Sequence, residues 1–296
     1  MMESRSLSLE QRQTMRLTIY DNPQTFLDCV APQLERREAE NNVILGIANR
    51  LIRSPGRFPQ PAFLATVEDG GEPLLVALRT PPHRLVISAE EDDPAEAVKT
   101  LIRHLADAGE ALPGVMGTSA LAEAFARRWA RRTGQPQRIA MRERVFELRR
   151  VIPPAAVPGR LRLAAPADEE LLVEWFYGFE MDAFGAADRA VAQKLARLLV
   201  ADGDLYVWDD GGPVSMAATG RRTRRGAAIG YVYTPPELRR RGYASAGVAA
   251  VSQEMLDAGY AFCTLFTDLA NATSNKIYQA IGYRPLADFL QIDFLA

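Results

Sequence analysis

The order of helices, hairpins and strands that the sequence predicts for residues 1–150 starts again after residue 160, and this repeat strongly constrains the fold. Each copy begins with apolar residues at helical spacing, continues through a hairpin and then alternates strands and helices. The hairpins turn at one shared motif, Asp69-Gly70-Gly71 in the first copy and Asp210-Gly211-Gly212 in the second. The sequence therefore predicts tandem domains in residues 1–150 and 161–296, joined by the proline-rich linker 151–160.

The alternation of helices and strands in both copies predicts an α/β (α+β) fold, in which helices flank a mixed central sheet. A hydrophobic fraction of 48% in 296 residues is enough to build two cores, and it excludes a chain that is disordered throughout. Two cysteines exclude a disulfide framework, and two histidines argue against a histidine-based metal centre. We therefore expect no metal cofactor.

The charge balance argues against nucleic-acid and membrane partners. The formal net charge is −2, from 35 basic and 37 acidic residues, and neither copy departs far from neutrality. The N-terminal segment MMESRSLSLEQRQTMR has no apolar stretch like that of a signal peptide, and no apolar run reaches the length of about 18 residues that a membrane span needs. We expect a cytoplasmic protein, and the scarcity of lysine beside abundant arginine and alanine is typical of a GC-rich bacterial genome.

The segment YVYTPPELRRRGYASAGVAAV, residues 231–251, predicts an anion site. A strand ends at two prolines, and a basic turn that contains Gly242 leads directly into a helix. The free N–H groups and the positive dipole at the start of that helix favour a bound anion. A glycine at position 242 allows a phosphate group to approach the main chain closely. A helix start with surface arginines is the alternative for an isolated motif of this kind.

The motif is not isolated, and with its neighbour it resembles a known family. Arg239-x-x-Gly242-x-Ala244 is followed by a strand and then by a helix that carries Asn271, Tyr278 and the pair Gly282-Tyr283. In order and spacing, residues 160–296 resemble the GNAT family, the acetyl-CoA-dependent N-acyltransferases. The first motif is similar to that family's pyrophosphate loop, (Q/R)xxGx(G/A), and the second to its Asn…Tyr…Gly-aromatic helix.

The resemblance implies that acetyl-CoA, the acetyl donor, lies between two splayed parallel strands, residues 228–234 and 261–267. Main-chain groups of one strand would pair with the pantetheine arm, the loop and helix start would hold the pyrophosphate, and one face of the following helix would converge on the cofactor. The cofactor-binding residues so implied are Val232, Tyr233, Thr234, Arg239, Arg240, Arg241, Gly242, Tyr243, Ala244, Ser245, Asn271, Ser274 and Asn275. For Asn271, a helix N-cap is an equal alternative.

The resemblance further implies transfer of the acetyl group to a primary amine, with Tyr278 as the catalytic acid that protonates the departing thiolate. The strand AAIGYVYT carries no carboxylate, so the base stays open between Glu174, Glu180, Tyr231 and water. Glu174 and Glu180, with Tyr231, are also the candidate substrate-binding residues, and an amphipathic helix surface is the alternative for the two carboxylates. A non-catalytic acyl-CoA-binding or regulatory module is the alternative function.

The first copy lacks these motifs. After its third strand it reads ISAEEDDPAEAVK, which is acidic where the pyrophosphate loop should be basic. Residues 1–150 therefore resemble a degenerate GNAT repeat, as in tandem families such as mycothiol synthase, whose role would be to cover the active face or shape the acceptor pocket. We expect a small-molecule or peptide amine as acceptor, and a homodimer stays open.

Four arginines of the second copy, at positions 221, 222, 224 and 225, are read as a solvated turn, with contact to an acceptor or to the CoA 3′-phosphate as the alternative.

Overall fold

The computed structural model describes residues 15–295, which form eight α-helices and one continuous, mixed sheet of twelve strands. The mixed α/β architecture that the sequence predicts is therefore confirmed. The prediction made from the N-terminal segment falls mostly on residues 1–14, which lie outside the described part of the chain. Within residues 15–295, no helix has both the length and the apolar character that crossing a membrane requires.

The first half of the chain alternates strands with four helices. Its elements are β1 (Arg16–Ile19), α1 (Pro23–Leu34), α2 (Asn42–Arg53), β2 (Phe63–Asp69), β3 (Glu72–Arg79), β4 (Leu85–Ser88), α3 (Ala95–Asp107), β5 (Gly114–Thr118), α4 (Ser119–Thr133) and β6 (Gln137–Leu148). The short strand β1, which the sequence analysis did not predict, pairs antiparallel with β2 at the edge of the sheet.

The second half repeats this order of elements. They are β7 (Arg160–Leu163), α5 (Glu169–Phe184), α6 (Arg189–Ala201), β8 (Leu205–Asp209), β9 (Pro213–Arg222), β10 (Gly226–Tyr233), α7 (Tyr243–Asp257), β11 (Phe262–Asp268), α8 (Ala272–Ala280) and β12 (Arg284–Phe294). The chain after Gly282 forms one long strand, β12, which runs through a bulge between Pro285 and Ala287.

The last strand of each half lies within the sheet of the other half. The strand order is β1-β2-β3-β4-β5-β12-β6-β11-β10-β9-β8-β7. Strand β12 pairs antiparallel with β5 of the first half, and β6 pairs antiparallel with β11 of the second. The two exchanged strands also pair with each other over most of their length. The halves therefore share one hydrogen-bonded sheet, although they are successive in the sequence.

A second contact between the halves is made by the turn that joins α1 to α2, which docks on the β9–β10 hairpin. Glu38 is 3% exposed, and its carboxylate accepts hydrogen bonds from the Thr223 hydroxyl (2.6 Å), the Arg225 amide (2.7 Å) and the Arg225 Nε (2.7 Å). Arg224 pairs with Glu35 at 3.1 Å. The arginines of this hairpin, which the sequence analysis reads as a solvated turn, are therefore largely engaged in joining the halves.

Helix α2 packs closely on β9, and a glycine makes this contact possible. Gly46 lies inside α2, where glycine costs about 1 kcal/mol relative to alanine. A Cβ atom at Gly46 would overlap the Cβ of Arg221 and lie 3.0 Å from its Cα. The Arg221 backbone belongs to β9, which has β10 and β8 on either side, so it has little freedom to move away. Gly46 therefore sets the distance between α2 and β9.

We predict that Gly46→Ala destabilises the protein by about 1–3 kcal/mol, because overpacking against a strand outweighs the gain in helix propensity. The matched control is Gly247→Ala in α7, where the added Cβ would meet its nearest atom, the Trp208 Cβ, at an ordinary 4.0 Å. That control should be neutral or more stable by up to about 1 kcal/mol. Urea unfolding measures both free energies. Equal stabilisation by the two substitutions would contradict the close α2–β9 contact.

Candidate functional site

The parallel strands β10 and β11 pair at one end and then separate. Their register covers only Gly226 to Ala228, opposite Phe262 to Thr264, although β10 continues to Tyr233 and β11 to Asp268. A cavity of about 580 Å³ lies at the separated end, bounded also by α5, α7 and α8. The cavity is large enough for part of an extended ligand, and it lies where the sequence analysis expects the splayed strands.

Most of the predicted cofactor-binding residues line this cavity. Those that do are Val232, Tyr233, Thr234, Arg239, Arg240, Gly242, Tyr243, Ala244, Ser245, Asn271 and Ser274, together with the predicted catalytic Tyr278. Arg241 and Asn275 are not among the lining residues, and neither are Glu174, Glu180 and Tyr231.

The backbone beside the cavity adopts left-handed conformations that side chains disfavour. Among residues 15–295, the non-glycine residues with positive φ are Tyr231 (+50°) and Arg240 (+65°), and both adjoin the cavity. Gly242, with φ +87°, is the N-cap of α7. Such conformations cost of order 1–3 kcal/mol for residues with a side chain, and they concentrate at functional sites. At Tyr231 the register between β9 and β10 shifts, so the strand bulges at the edge of the cavity.

Arg239 stabilises the loop that leads to α7. Its Nε donates to the carbonyl oxygen of Thr234 at 2.9 Å, and its guanidinium pairs with Asp182 of α5 at 2.6 Å and lies 5.6 Å from the Tyr233 ring centroid. Thr234 is itself held by a 2.8 Å hydrogen bond to the Ser215 hydroxyl. Arg239 therefore closes the loop against α5, and its charge is partly neutralised by Asp182.

The start of α7 presents main-chain N–H groups to the cavity. Tyr243 is buried, and its hydroxyl donates to the Asp210 carboxylate at 2.7 Å, which fixes the first turn of the helix. The first N–H groups of a helix have no intrahelical acceptor, and glycine at the N-cap supplies no side-chain oxygen. With Arg240 beside it, this end of α7 is suited to an anion such as a phosphate.

Helix α8 begins with a capped turn, and only some of its predicted site residues line the cavity. The Asn271 side chain accepts from the Ser274 amide at 3.0 Å, so it is an N-cap that also lines the cavity. The Asn275 amide donates to the carbonyl oxygens of Asp268 (3.0 Å) and Asn271 (2.8 Å), outside the cavity. Two backbone acceptors at the helix start therefore hold the Asn275 side chain away from the cavity, and its contact with a cofactor stays a prediction.

Tyr278 is 7% exposed and lies edge-on to Tyr283, with ring centroids 6.1 Å apart. Burial raises the pKa of Tyr278 to about 12, against a smaller opposite effect of a hydrogen bond with Ser274. The phenol is thus fully protonated at neutral pH and can donate. Burial in the same apolar cluster raises the pKa of the Cys263 thiol to about 12.

The remaining candidates lie around α5. Glu174 pairs with Arg189 on the surface, and Glu180 accepts from the Asp188 amide at 3.5 Å within the α5–α6 turn. Tyr231 is 37% exposed, and its ring meets those of Phe176 and Phe179 edge-on at 5.3 and 5.5 Å. Glu174 and Glu180 are therefore engaged in contacts that organise the α5–α6 surface, whereas Tyr231 adjoins the splayed strands.

Some lining residues were not among the predicted site residues. They are Phe179, Asp182, Ala183, Leu238, Thr273 and Ile277. Periodicity predicts that α5 is a helix. Its apolar and polar residues do not fall on separate faces, so the pattern does not indicate which side of α5 faces the cavity. Periodicity alone did not indicate that Phe179 and Asp182 contact the cavity.

The corresponding parallel pair in the first half, β4 and β5, encloses almost no space. These strands pair at Leu85 and Val86, and the cavity beyond them measures about 10 Å³, no more than one water. Phe289 of the exchanged strand β12 lines it, and Ser88 donates to the Asn41 side chain at 2.7 Å. The space between these strands is thus filled by residues from α2 and β12.

Comparisons with known proteins agree with this geometry. Residues 210–290 match a family model described as FR47-like protein. No curated protein matches the chain. Solved structures match nearly its whole length at low identity.

A GCN5-related N-acetyltransferase from Sphaerobacter thermophilus has 15% identity and a TM-score of 0.60, over 94% of each chain. A GNAT-family acetyltransferase from Colwellia psychrerythraea has 11% identity and a TM-score of 0.54, over 95% of this chain and 100% of that one. A tandem GNAT protein from the clavulanic acid biosynthesis pathway has 12% identity and a TM-score of 0.55, over 94% of this chain and 97% of that one.

These matches confirm the resemblance inferred from the Arg239-x-x-Gly242-x-Ala244 motif and the GNAT-type mixed sheet. The matched region, residues 210–290, contains the β10–α7 loop and the start of α8, which line the cavity. The chain thus has the GNAT acetyltransferase fold over nearly its full length, shared with a tandem GNAT protein, and residues 210–290 form its FR47-like part.

Proposed function

We propose that the protein is an N-acetyltransferase that moves an acetyl group from acetyl-CoA directly to a primary amine. The observation that carries the proposal is the cavity between the separated ends of β10 and β11, which joins an anion-binding helix start to a buried, protonated tyrosine. A carrier with a phosphate end and a thioester end fits these two features at once. The GNAT fold, common to acetyltransferases, supports the same conclusion.

In this proposal the pyrophosphate of CoA binds the amides from Arg240 to Ser245, and the pantetheine arm pairs with Val232, Tyr233 and Thr234. The separation of β11 from β10 beyond Ala228 leaves main-chain groups of β10 without partners on that side. An extended amide chain can occupy that place as a strand would. Asn271 and Ser274 line the cavity near the arm. The side chains of Arg241 and Asn275 instead donate hydrogen bonds to backbone carbonyl oxygens of the protein.

The chemistry follows from the same placement. The neutral amine attacks the thioester carbonyl, and an N–H near Val232 stabilises the negative charge that develops on the oxygen. The carbon–sulfur bond then breaks, the thiolate takes the proton of Tyr278, and a base or water takes the proton that the acetylated nitrogen loses. A proton from water then restores the phenol. Burial raises the pKa of Tyr278 to about 12, so the phenol keeps its proton until the thiolate forms beside it. Removal from water raises the pKa of a thiol in the same direction, which favours the transfer. Of the bases that the sequence leaves open, Tyr231 is the side chain that adjoins the separated strands.

The proposal is tested by incubating the protein with acetyl-CoA and a library of amines and analysing the products by mass spectrometry. Acetylated amine together with free CoA supports it. Tight acetyl-CoA binding with no acetylated product from any amine would contradict it and favour a non-catalytic acyl-CoA-binding module.

We predict that Gly242→Val lowers the affinity for CoA at least tenfold, about 1.4 kcal/mol, because a branched side chain would stand where the phosphate must approach. The control is Gly259→Val at the other end of α7. Gly259 also has a positive φ, +98°, but a Cβ there meets nothing within 4 Å. Both variants carry the same type of backbone strain, and a Cβ at Gly242 would in addition lie 2.7 Å from the Val157 Cγ1. Urea unfolding of each variant, measured beside calorimetric titration, separates a loss of stability from the loss of the anion site. Equal affinity in the two variants would contradict this position of the phosphate.

We predict that each chain binds one CoA. The opening between β4 and β5 is filled, and its acidic flank, Glu90 to Asp93, would repel a pyrophosphate. Calorimetric titration with CoA should give a stoichiometry of one, and the single site should be weakened by Gly242→Val. A stoichiometry of two per chain would show that the first half also binds the cofactor.

We predict that Tyr278→Phe lowers kcat by about 10²–10⁴-fold and leaves acetyl-CoA affinity nearly unchanged, because it removes a proton donor and keeps the ring. Since the pKa of Tyr278 is raised to about 12, the phenol stays protonated through pH 10, and this residue should cause no alkaline fall in kcat below that pH. Tyr283→Phe, in the same cluster but outside the cavity lining, is the control. A kcat within about threefold of the parent for Tyr278→Phe would reject the assignment.

A further inference from the structure

A second, smaller cavity lies between the two halves and is lined by cationic side chains. It measures about 170 Å³ and is bounded by α2, the β3–β4 connection and β9. Arg50, Arg84, Arg221 and His83 are among its lining residues, which include no aspartate or glutamate. We call this cavity the arginine pocket. Its volume corresponds to about six waters, which suits a small polar group rather than a whole cofactor.

Two of these arginines lack a counterion within the described part of the chain. Arg84 pairs with Asp293 at 2.5 Å, whereas no carboxylate of residues 15–295 forms an ion pair with Arg50 or Arg221. Both are half-buried, and burial lowers the pKa of each. The Arg221 Nε donates to the neutral side chain of Asn42 at 3.2 Å. Half-buried guanidinium groups without a carboxylate are unfavourable, so the pocket would be stabilised by an anion.

The nearby carboxylates are already engaged. Asp204 pairs with Arg222 at 2.5 Å and Asp202 with Arg57 at 2.7 Å. Glu143, whose charge acts on Arg221, accepts from the Gln291 amide at 2.6 Å, and burial raises its pKa. These groups reduce the positive potential of the pocket, and Arg50 and Arg221 remain able to bind an anion. The fork of a guanidinium matches the two oxygens of a carboxylate.

The arginine pocket lies on the face of the sheet opposite α7 and α8. On β11, Leu265 packs in the cluster of α7 and α8, whereas its neighbour Phe266 packs against the cluster of α1 and α2. The Arg221 guanidinium lies over Phe266, 5.9 Å from the ring centroid. Phe266 belongs to the part of β11 that has separated from β10. Arg221 thus reaches from the arginine pocket to the separated part of β11.

We propose that the arginine pocket binds the carboxylate of the acyl acceptor, so that the acceptor is an amine that also carries a carboxylate, such as an amino acid. This inference rests on the proposed acetyl transfer, because it places the amine of such a molecule beside the separated strands while Arg50 and Arg221 hold its carboxylate. It also gives the first half a role: α2 supplies Arg50, and Gly46 of the same helix makes room for Arg221.

The first test measures anion binding without catalysis, as the Tm of the full chain in sodium acetate and in sodium chloride at equal ionic strength. Acetate should raise Tm in the parent and in Arg53→Gln, which removes an exposed arginine of the same helix. The rise should be lost in Arg50→Gln and in Arg221→Gln. In chloride, Arg50→Gln should be no less stable than the parent, because it removes an uncompensated charge. A rise with phosphate and none with acetate, or no rise with either, would overturn the inference.

The second test measures selectivity, as kcat/KM for glycine, β-alanine and L-phenylalanine against their primary amides. At least one acid should be preferred over its amide tenfold or more in the parent and in Arg53→Gln, and Arg50→Gln should abolish that preference. Acetylation of acid and amide at equal kcat/KM would overturn the inference and leave the proposed function intact. Acetate binding through Arg50 without acetylation of any amine, in the presence of acetyl-CoA, would instead contradict the proposed function while supporting the anion site.

Discussion

The insertion of β6 between β11 and β12 is the constraint on which the rest of the molecule depends. Because each half completes the sheet of the other, neither half can separate without breaking three antiparallel ladders. The exchange also brings Glu143 of the first half beside Asp268, at the end of β11. Residues from both halves therefore surround the separated part of β11, whereas the residues that line the larger cavity come from the second half.

The two parallel pairs show how similar topology leads to different outcomes. Between β10 and β11, the bulge at Tyr231 and the left-handed Arg240 and Gly242 keep an opening that ends at the amides of α7. Between β4 and β5, Phe289 and Asn41 fill the space and an acidic segment follows. The strained backbone is thus confined to the half that keeps the cavity, in agreement with a site whose geometry has a cost in stability.

Local periodicity was sufficient to predict most elements of both halves, because the apolar spacing in helices such as α3 and the glycine turns of both hairpins are local features. It could not predict that β6 and β12 exchange places. The alternation of apolar and polar residues in each of these strands fits a place beside either half equally well. The pairing partner therefore depends on contacts between residues far apart in the sequence. Strand β1 was missed because four residues give too short a pattern.

The same distinction applies to the site. The loop around Gly242 and the cap at Asn271 were predictable, since their residue types carry a backbone requirement. The direction of the Asn275 side chain was not, because helical spacing alone does not reveal that the carbonyls of Asp268 and Asn271 hold it. For the arginine pocket, the sequence offered only contact with an acceptor as the alternative for Arg221, and nothing in it indicated Arg50. Arg50 and Arg221 are 171 positions apart and meet only when the halves share a sheet.

The central claim is that one ligand with a phosphate end and a thioester end occupies the opening between β10 and β11. Hydrogen–deuterium exchange with and without acetyl-CoA tests this claim directly, because it reports on individual backbone amides. The account predicts that acetyl-CoA slows exchange in residues 231–234 and 240–246 and leaves residues 86–96 of the first half unchanged. Protection in residues 86–96, or none at the start of α7, would contradict it.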